Sequence, residues 1–213
     1  MKKPETYYIN ARIEMLQFVP RTAKKILDIG CGEGVFGSIL KNELQAEVWG
    51  IEMDVVSGTK AGQVLDKVII SDVFSALPKI TGETFDAIIL NDVLEHIVQN
   101  EVLLTELKKY LNEDAVIVAS IPNVRFLNNL INLIFRKTWD YEDSGILDRT
   151  HVRFFTKKSI IKMFERLGFN LDRIQGLNGY VDSSKFSLIN ILTLGLFADT
   201  RYLQFGIVVK TKK

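Results

Sequence analysis

The chain has 213 residues, 47% hydrophobic and 25% charged, a balance that excludes a disordered or fibrous protein and suits one globular domain. Lys plus Arg (27) nearly equals Asp plus Glu (26), which argues against bulk attraction to nucleic acid or an anionic membrane. The single cysteine, Cys31, excludes an intramolecular disulfide. No apolar signal core follows the polar start, so a cytoplasmic location is expected.

In chain order, Ile9, Ile13, Leu16 and Val19 recur at helical spacing over residues 7–18 and are closed by Pro20, giving an N-terminal helix or flap over residues 1–20. Tyr7, Tyr8 and Arg12 belong to it. Residues 25–29 read as a buried strand stopped by Gly30, and Val35, Phe36, Ile39, Leu40 and Leu44 as the helix that follows. A strand over 47–51, a helix over 54–65 and a strand over 67–70 continue the alternation. A strand over 85–90, a helix over 99–111 and a strand over 115–121 complete it. Such alternation predicts an α/β fold, an open, doubly wound, mostly parallel sheet covered on both faces. Its ligand belongs past the carboxyl ends of the strands. Beyond Pro122 the pattern loosens. Residues 124–136 and 184–194 read as helices, Thr156 as the N-cap of a helix ending near Gly168, and 169–178 and 202–211 as two last strands. The amphipathic stretches 126–135 and 186–198 read as core-facing helices. The longer apolar one has 13 residues, against roughly 20 needed to span a bilayer.

The sharpest motif is Asp28-Ile29-Gly30-Cys31-Gly32-Glu33-Gly34, set between a strand and a helix. Glycines admit a ligand close to the backbone, and the helix start offers free amides. Gly32 to Gly37 also fits the G-x-G-x-x-G dinucleotide pattern. Glu52, 20 residues after Gly32, stands where a carboxylate accepts hydrogen bonds from a ribose diol.

This block, with Val48-Trp49-Gly50-Ile51-Glu52-Met53-Asp54 and Phe85-Asp86-Ala87-Ile88-Ile89-Leu90-Asn91-Asp92-Val93-Leu94-Glu95-His96, resembles the class I S-adenosylmethionine-dependent methyltransferases in order and spacing over roughly residues 20–175. The resemblance implies a seven-stranded Rossmann-like sheet with an antiparallel last strand. It also implies S-adenosylmethionine as cofactor, bound by Asp28, Gly30, Cys31, Gly32, Gly34, Glu52, Met53, Asp72, Val73 and Asn91. In that scheme the glycine loop cradles the methionine moiety and Glu52 holds the ribose. Asp72 accepts from the adenine amino group, Val73 packs on the ring, and Asn91 lies beneath the methionine part.

Ile121-Pro122-Asn123 and Asp148-Arg149-Thr150-His151-Val152-Arg153-Phe154-Phe155-Thr156 resemble a bacterial branch acting on glycans, lipid-linked sugars or quinone precursors. O-methylation of a small-molecule, glycan or lipid-linked acceptor is the activity this implies, with an RNA end as a further possible acceptor. Residues 123–155 would form the acceptor pocket or a lid, with Arg125, Arg149, Arg153 and Phe154 binding the acceptor and Phe126, Trp139, Tyr141 and Phe155 lining it. The chain has two histidines, His96 and His151, and either is a candidate base for a hydroxyl acceptor. Asp92-x-x-Glu95-His96 resembles the metal-binding E-x-x-E-H pattern of the ubiquinone O-methyltransferases and the small-RNA 2′-O-methyltransferases. With His151 it offers Asp92, Glu95, His96 and His151 as ligands for a divalent metal, though Asp92 is one methylene shorter than the family's Glu. Two rival readings share the glycine loop: a nicotinamide-dependent oxidoreductase, which leaves Asp72 and the Asn91–His96 block unexplained, and a non-catalytic cofactor-binding module.

Overall fold

The computed structural model describes residues 11–179 and 190–212. Seven strands form one sheet: β1 (Lys25–Ile29), β2 (Glu47–Glu52), β3 (Lys67–Ile70), β4 (Phe85–Asn91), β5 (Leu111–Pro122), β6 (Phe169–Leu177) and β7 (Gln204–Thr211). Their order is β3-β2-β1-β4-β5-β7-β6. The first five run parallel, and β7 runs antiparallel to both β5 and β6. The expected doubly wound sheet with an antiparallel last strand is what forms.

The helices that accompany it include α1 (Val35–Leu44), α2 (Val55–Ala61), α3 (Val73–Ala76), α4 (Asn100–Leu107), α5 (Leu127–Ile131) and α6 (Lys157–Arg166). Alternation along the central strands sends side chains to two separate cores. On one face Ile26, Val48, Ala87, Val118 and Val208 meet Phe36, Leu40 and Leu44 of α1 and Ala61 of α2. On the other, Leu27, Ile88, Ile117 and Ile207 meet Leu103, Leu104 and Leu107 of α4 and Ile160, Met163 and Phe164 of α6. The Lys24 and Lys25 amides both donate to Asp86 Oδ2, at 2.8 and 2.9 Å, which ties the start of β1 to β4.

Several elements differ from the sequence reading. Ile13–Phe18 is a 3₁₀ helix with Met15 and Phe18 buried; the rest of the expected N-terminal helix, with Tyr7 and Tyr8, lies outside the described residues. β5 starts at Leu111 rather than 115. Its polar first turn hides the pattern, but Asn112 Nδ2 donates to Asp86 Oδ1 at 2.7 Å and the register slips between Phe85 and Ala87. The short α3, absent from the sequence reading, is capped by Asp72, which accepts from the Ser75 amide. The segment 124–136 is not core-facing. After α5 it winds as a π-helix over Asn132–Arg136 and leaves Leu133, Ile134 and Phe135 exposed, and none of its side chains joins either core. Ile191, Leu192, Leu194 and Leu196 are likewise exposed, and the remainder of the expected helix 184–194 falls largely outside the described residues. No helix among the described residues is long and apolar enough to cross a membrane.

At the start of α6 the expected Thr156 cap forms a reciprocal box: Thr156 Oγ1 accepts from the Ser159 amide at 3.1 Å, and Ser159 Oγ accepts from the Thr156 amide at 2.9 Å. Thr156→Ala is expected to destabilise the chain by about 1 kcal/mol in urea unfolding, the usual cost of losing such a cap.

Candidate functional site

The strand order reverses at β1, whose neighbours are β2 and β4, and the carboxyl ends of these strands open into one cavity of about 840 Å³. Its wall is built from the turns after β1, β2, β3 and β4. Gly30 follows β1 at φ +71°, and a Cβ there would sit 2.8 Å from Val93 Cγ2. Gly34, the N-cap of α1, has φ +81°, and a Cβ would meet the Ala61 backbone at 3.1 Å. Both positions therefore require glycine sterically.

Glu52 holds this loop in shape. One carboxylate oxygen accepts from the Gly32 amide at 2.9 Å and the other from the Asp54 amide, also at 2.9 Å. A carboxylate has about four acceptor sites, so both oxygens keep capacity for hydroxyl donors on the cavity side. Asp28, 3% exposed, lines the same wall. Burial, reinforced by the Glu52 charge, pushes its carboxyl up to about 7. Cys31 also lines the wall, and burial pushes its thiol well up, so it is an inert packing group rather than a nucleophile. Asp72 is exposed and ionises more readily than usual because Ser75 hydrogen-bonds to it; one oxygen serves as the α3 cap. Asn91, at the end of β4, lines the cavity with both carboxamide atoms buried and without a hydrogen-bond partner. An unpaired buried amide signals a ligand that completes it. Gly32, Met53 and Val73 line the same space, and Gly34 closes the loop beside it. The ten cofactor candidates thus converge.

The histidine side of the cavity comes from two distant segments. The Val152 and Arg153 amides donate to the Glu95 carbonyl at 2.9 and 3.1 Å, which lays the 148–153 segment against the 3₁₀ turn Leu94–His96. The two imidazoles then stack edge to face with centroids 4.7 Å apart. Glu95, His96 and His151 each offer a ligand atom within 4.8 Å of the others. Glu95 is 1% exposed with neither oxygen hydrogen-bonded, and burial, then the Asp92 charge, raises its carboxyl well above the usual range. Asp92 does not join them. Its backbone is left-handed at φ +53°, and its carboxylate takes Arg12 Nη1 at 2.6 Å and Ser120 Oγ at 3.0 Å. His96 and Thr150 line the cavity, whereas His151 is buried behind them.

The proposed acceptor residues are placed differently from the sequence expectation. Arg125 is bound to Asp199 and the Leu196 carbonyl, Arg149 to Asp143, and Arg153 to the Val98 carbonyl. Phe154 packs edge-on to Trp139 at 5.5 Å, and Phe155 sits in the core. None of them lines the cavity; of residues 123–155 only Thr150 does, among the described residues. These arginines fasten loops, a use that charge alone does not announce. Arg12, Phe36, Ile97 and Val98 line the cavity instead. Phe36 reads as a helix core position, and only the packing shows that it also reaches the cavity.

A seven-stranded sheet with this order and a glycine loop at the reversal defines the S-adenosylmethionine-dependent methyltransferase fold. A methyltransferase from Archaeoglobus fulgidus has it with a TM-score of 0.69 at 20% identity, over 93% of this chain and 91% of that one. The plantazolicin methyltransferase BpumL, solved with S-adenosylhomocysteine (SAH), matches at 0.64 and 18% identity over 98% and 88%. The methyltransferase domain family matches residues 4–174, and the chain belongs to it. The mitochondrial ubiquinone biosynthesis O-methyltransferases of Bos taurus and Homo sapiens are each 28% identical over 170 residues, which cover 74% of this chain and 44% of each relative. The chain thus spans less than half the length of these relatives.

Asp28 generates a pH prediction. Its folded value lies above the unfolded 3.8, so between 3.8 and about 7 the folded chain binds the extra proton, and stability falls as pH rises through that window. The interval is worth about 4 kcal/mol at 1.36 kcal/mol per pH unit. Asp28→Asn is expected to flatten this slope and to be the more stable chain at pH 8 in parallel urea titrations.

Proposed function

We propose that this chain is an enzyme that transfers the methyl group of S-adenosylmethionine to a hydroxyl oxygen of a small-molecule, glycan or lipid-linked acceptor. The observation that carries the reading is the single cavity joining the strand-end acids Glu52 and Asp72 to the imidazole of His96. A dehydrogenase reading has no use for the Asp72 cap or the buried, unpaired Asn91. A decayed binding module has no reason to keep two histidines and a buried acid at the cavity's far end. The O-methyl specificity rests on the named function of the 28% identical relatives and on this acid–imidazole cluster.

The cofactor, when bound, brings a methyl group already activated on sulfonium. The chain's residues do the rest. Glu52 accepts the ribose hydroxyls with its remaining acceptor capacity, Asp72 accepts from the adenine amino group, and Asn91 pairs its carboxamide with the methionine moiety. Val93 and Ile97 exclude water from the transfer path. His96 takes the acceptor's hydroxyl proton.

A second reading is favoured by the orphaned Glu95 carboxylate. An uncompensated buried acid is costly, and a cation among Glu95, His96 and His151 compensates it. The donor set, one carboxylate and two imidazoles, suits Zn²⁺ or Mn²⁺, and such an ion would lower the hydroxyl pKa. Asp92 is committed to Arg12 and is left out of this proposal.

Glu52→Ala is expected to weaken SAH binding by about 1–3 kcal/mol in titration calorimetry, the scale of hydrogen bonds to a charged group plus the loosened loop. Unchanged affinity would refute the ribose assignment. His151→Ala is expected to spare cofactor affinity and to reduce turnover. Exhaustive chelation separates the two chemistries: activity lost and then restored by Mn²⁺ or Zn²⁺ supports the ion, and unaffected turnover assigns the proton to His96 alone.

A further inference from the structure

Asp148 is 1% exposed and has no place in the chemistry above. It lies one short turn from the cavity, in the 148–153 segment. Its Oδ1 accepts from the Thr150 amide at 2.8 Å and from the Thr150 hydroxyl at 2.7 Å. The same hydroxyl oxygen lies 3.0 Å from His96 Nδ1, and the Thr150 carbonyl oxygen lies 3.2 Å from it.

These four distances decide where the His96 proton sits. A hydroxyl has one proton, and Thr150 gives its proton to Asp148. A carbonyl oxygen has none to give. Both oxygens that face Nδ1 are therefore acceptors, and Nδ1 must be the donor. In the neutral ring the lone pair is then on Nε2.

We infer that Asp148 and Thr150 are positioning residues that hold His96 as its Nδ1–H tautomer, so that the Nε2 lone pair is the atom that serves the reaction. Asp148 acts at one remove, because it consumes the Thr150 hydroxyl proton and so turns that hydroxyl into an acceptor. Without it the hydroxyl is able to donate to Nδ1, which moves the ring proton to Nε2, and an N–H on Nε2 neither accepts a proton nor holds an ion. The inference rests on the methyltransfer reading and deepens it for both versions, since each needs the same lone pair. His151 is set the same way: its Nδ1 lies 2.9 Å from the Ile146 carbonyl, and Nε2 is the atom 3.9 Å from Glu95 Oε1. The chain thus presents two imidazoles by the same ring atom, one through a backbone carbonyl and one through a threonine relay.

The test reads the tautomer directly. With two histidines in the chain, long-range ¹H–¹⁵N spectra contain two imidazole systems, assigned with a His151→Gln variant. At a pH where both rings are neutral, wild-type His96 is expected as Nδ1–H with an unprotonated Nε2. Thr150→Val removes the nearer acceptor and leaves only the carbonyl contact, which at 3.2 Å is longer than the 2.9 Å contact that sets His151; the weaker preference is expected to give a mixture containing the Nε2–H form. Its SAH affinity is expected to stay unchanged in calorimetry, and its turnover to fall by about 10- to 100-fold, as for other partners that orient a working imidazole. Thr150→Ser is expected to restore both the tautomer and the rate. Asp148→Ala is expected to shift the tautomer as Thr150→Val does; if circular dichroism shows that it does not fold, the Val and Ser pair decides. An Nε2–H ring in the wild type, or a pure Nδ1–H ring in Thr150→Val, overturns the inference even where methyl transfer is intact. Failure of the wild type to bind SAH sinks the methyltransfer reading instead, and the spectra still judge the tautomer.

Discussion

The Glu52 carboxylate is the constraint on which the site depends. It ends β2, yet its two oxygens receive the amide of the glycine loop after β1 and the amide that leads into α2. Two turns are thereby pinned to adjacent strand ends. The acid that shapes the glycine loop is also the one proposed above to accept from a ribose diol.

Much of this was legible in the sequence because it follows from periodicity and punctuation. Apolar runs of four to seven residues bounded by Gly30, Asp54 and Asp92 mark the parallel strands. The glycine spacing after β1 and the acid after β2 mark the pocket. Hydrogen-bond commitments across the chain were not legible. Arg125, Arg149 and Arg153 look available to an anion, but each is held by a loop carbonyl or an Asp far away or nearby in sequence. Asp92 matches a ligand position of the metal pattern, yet Arg12, 80 residues earlier, claims it. α3 was missed because Val73–Ala76 is a single turn whose only local signal is the Asp72 cap.

The far end of the cavity concentrates groups that are expensive to bury: Glu95 without a hydrogen bond, two imidazoles and Asp148. A stable core has no need of them there, and the polar contacts that do exist are directed at orientation. The two Glu95 carbonyl contacts set the register between segments more than 50 residues apart, and the Thr150 and Ile146 contacts set the rings. Stability is spent on this corner, and the parallel strands and the two cores offset it.

The placement of β7 bears on the order in which the molecule is assembled. β6 has β7 as its only neighbour in the sheet, and β7 alone joins it to β5. While a ribosome has yet to deliver residues 204–211, the β6 edge has nothing to zip onto, and Arg12 lacks the β7 residue Gln204 that it reaches across 192 positions. The nascent chain can build its parallel half early, but one partner of the Arg12 that holds Asp92 waits for β7. A partly translated chain thus has the glycine-loop end of the cleft before the Arg12–Asp92 end has its β7 contact.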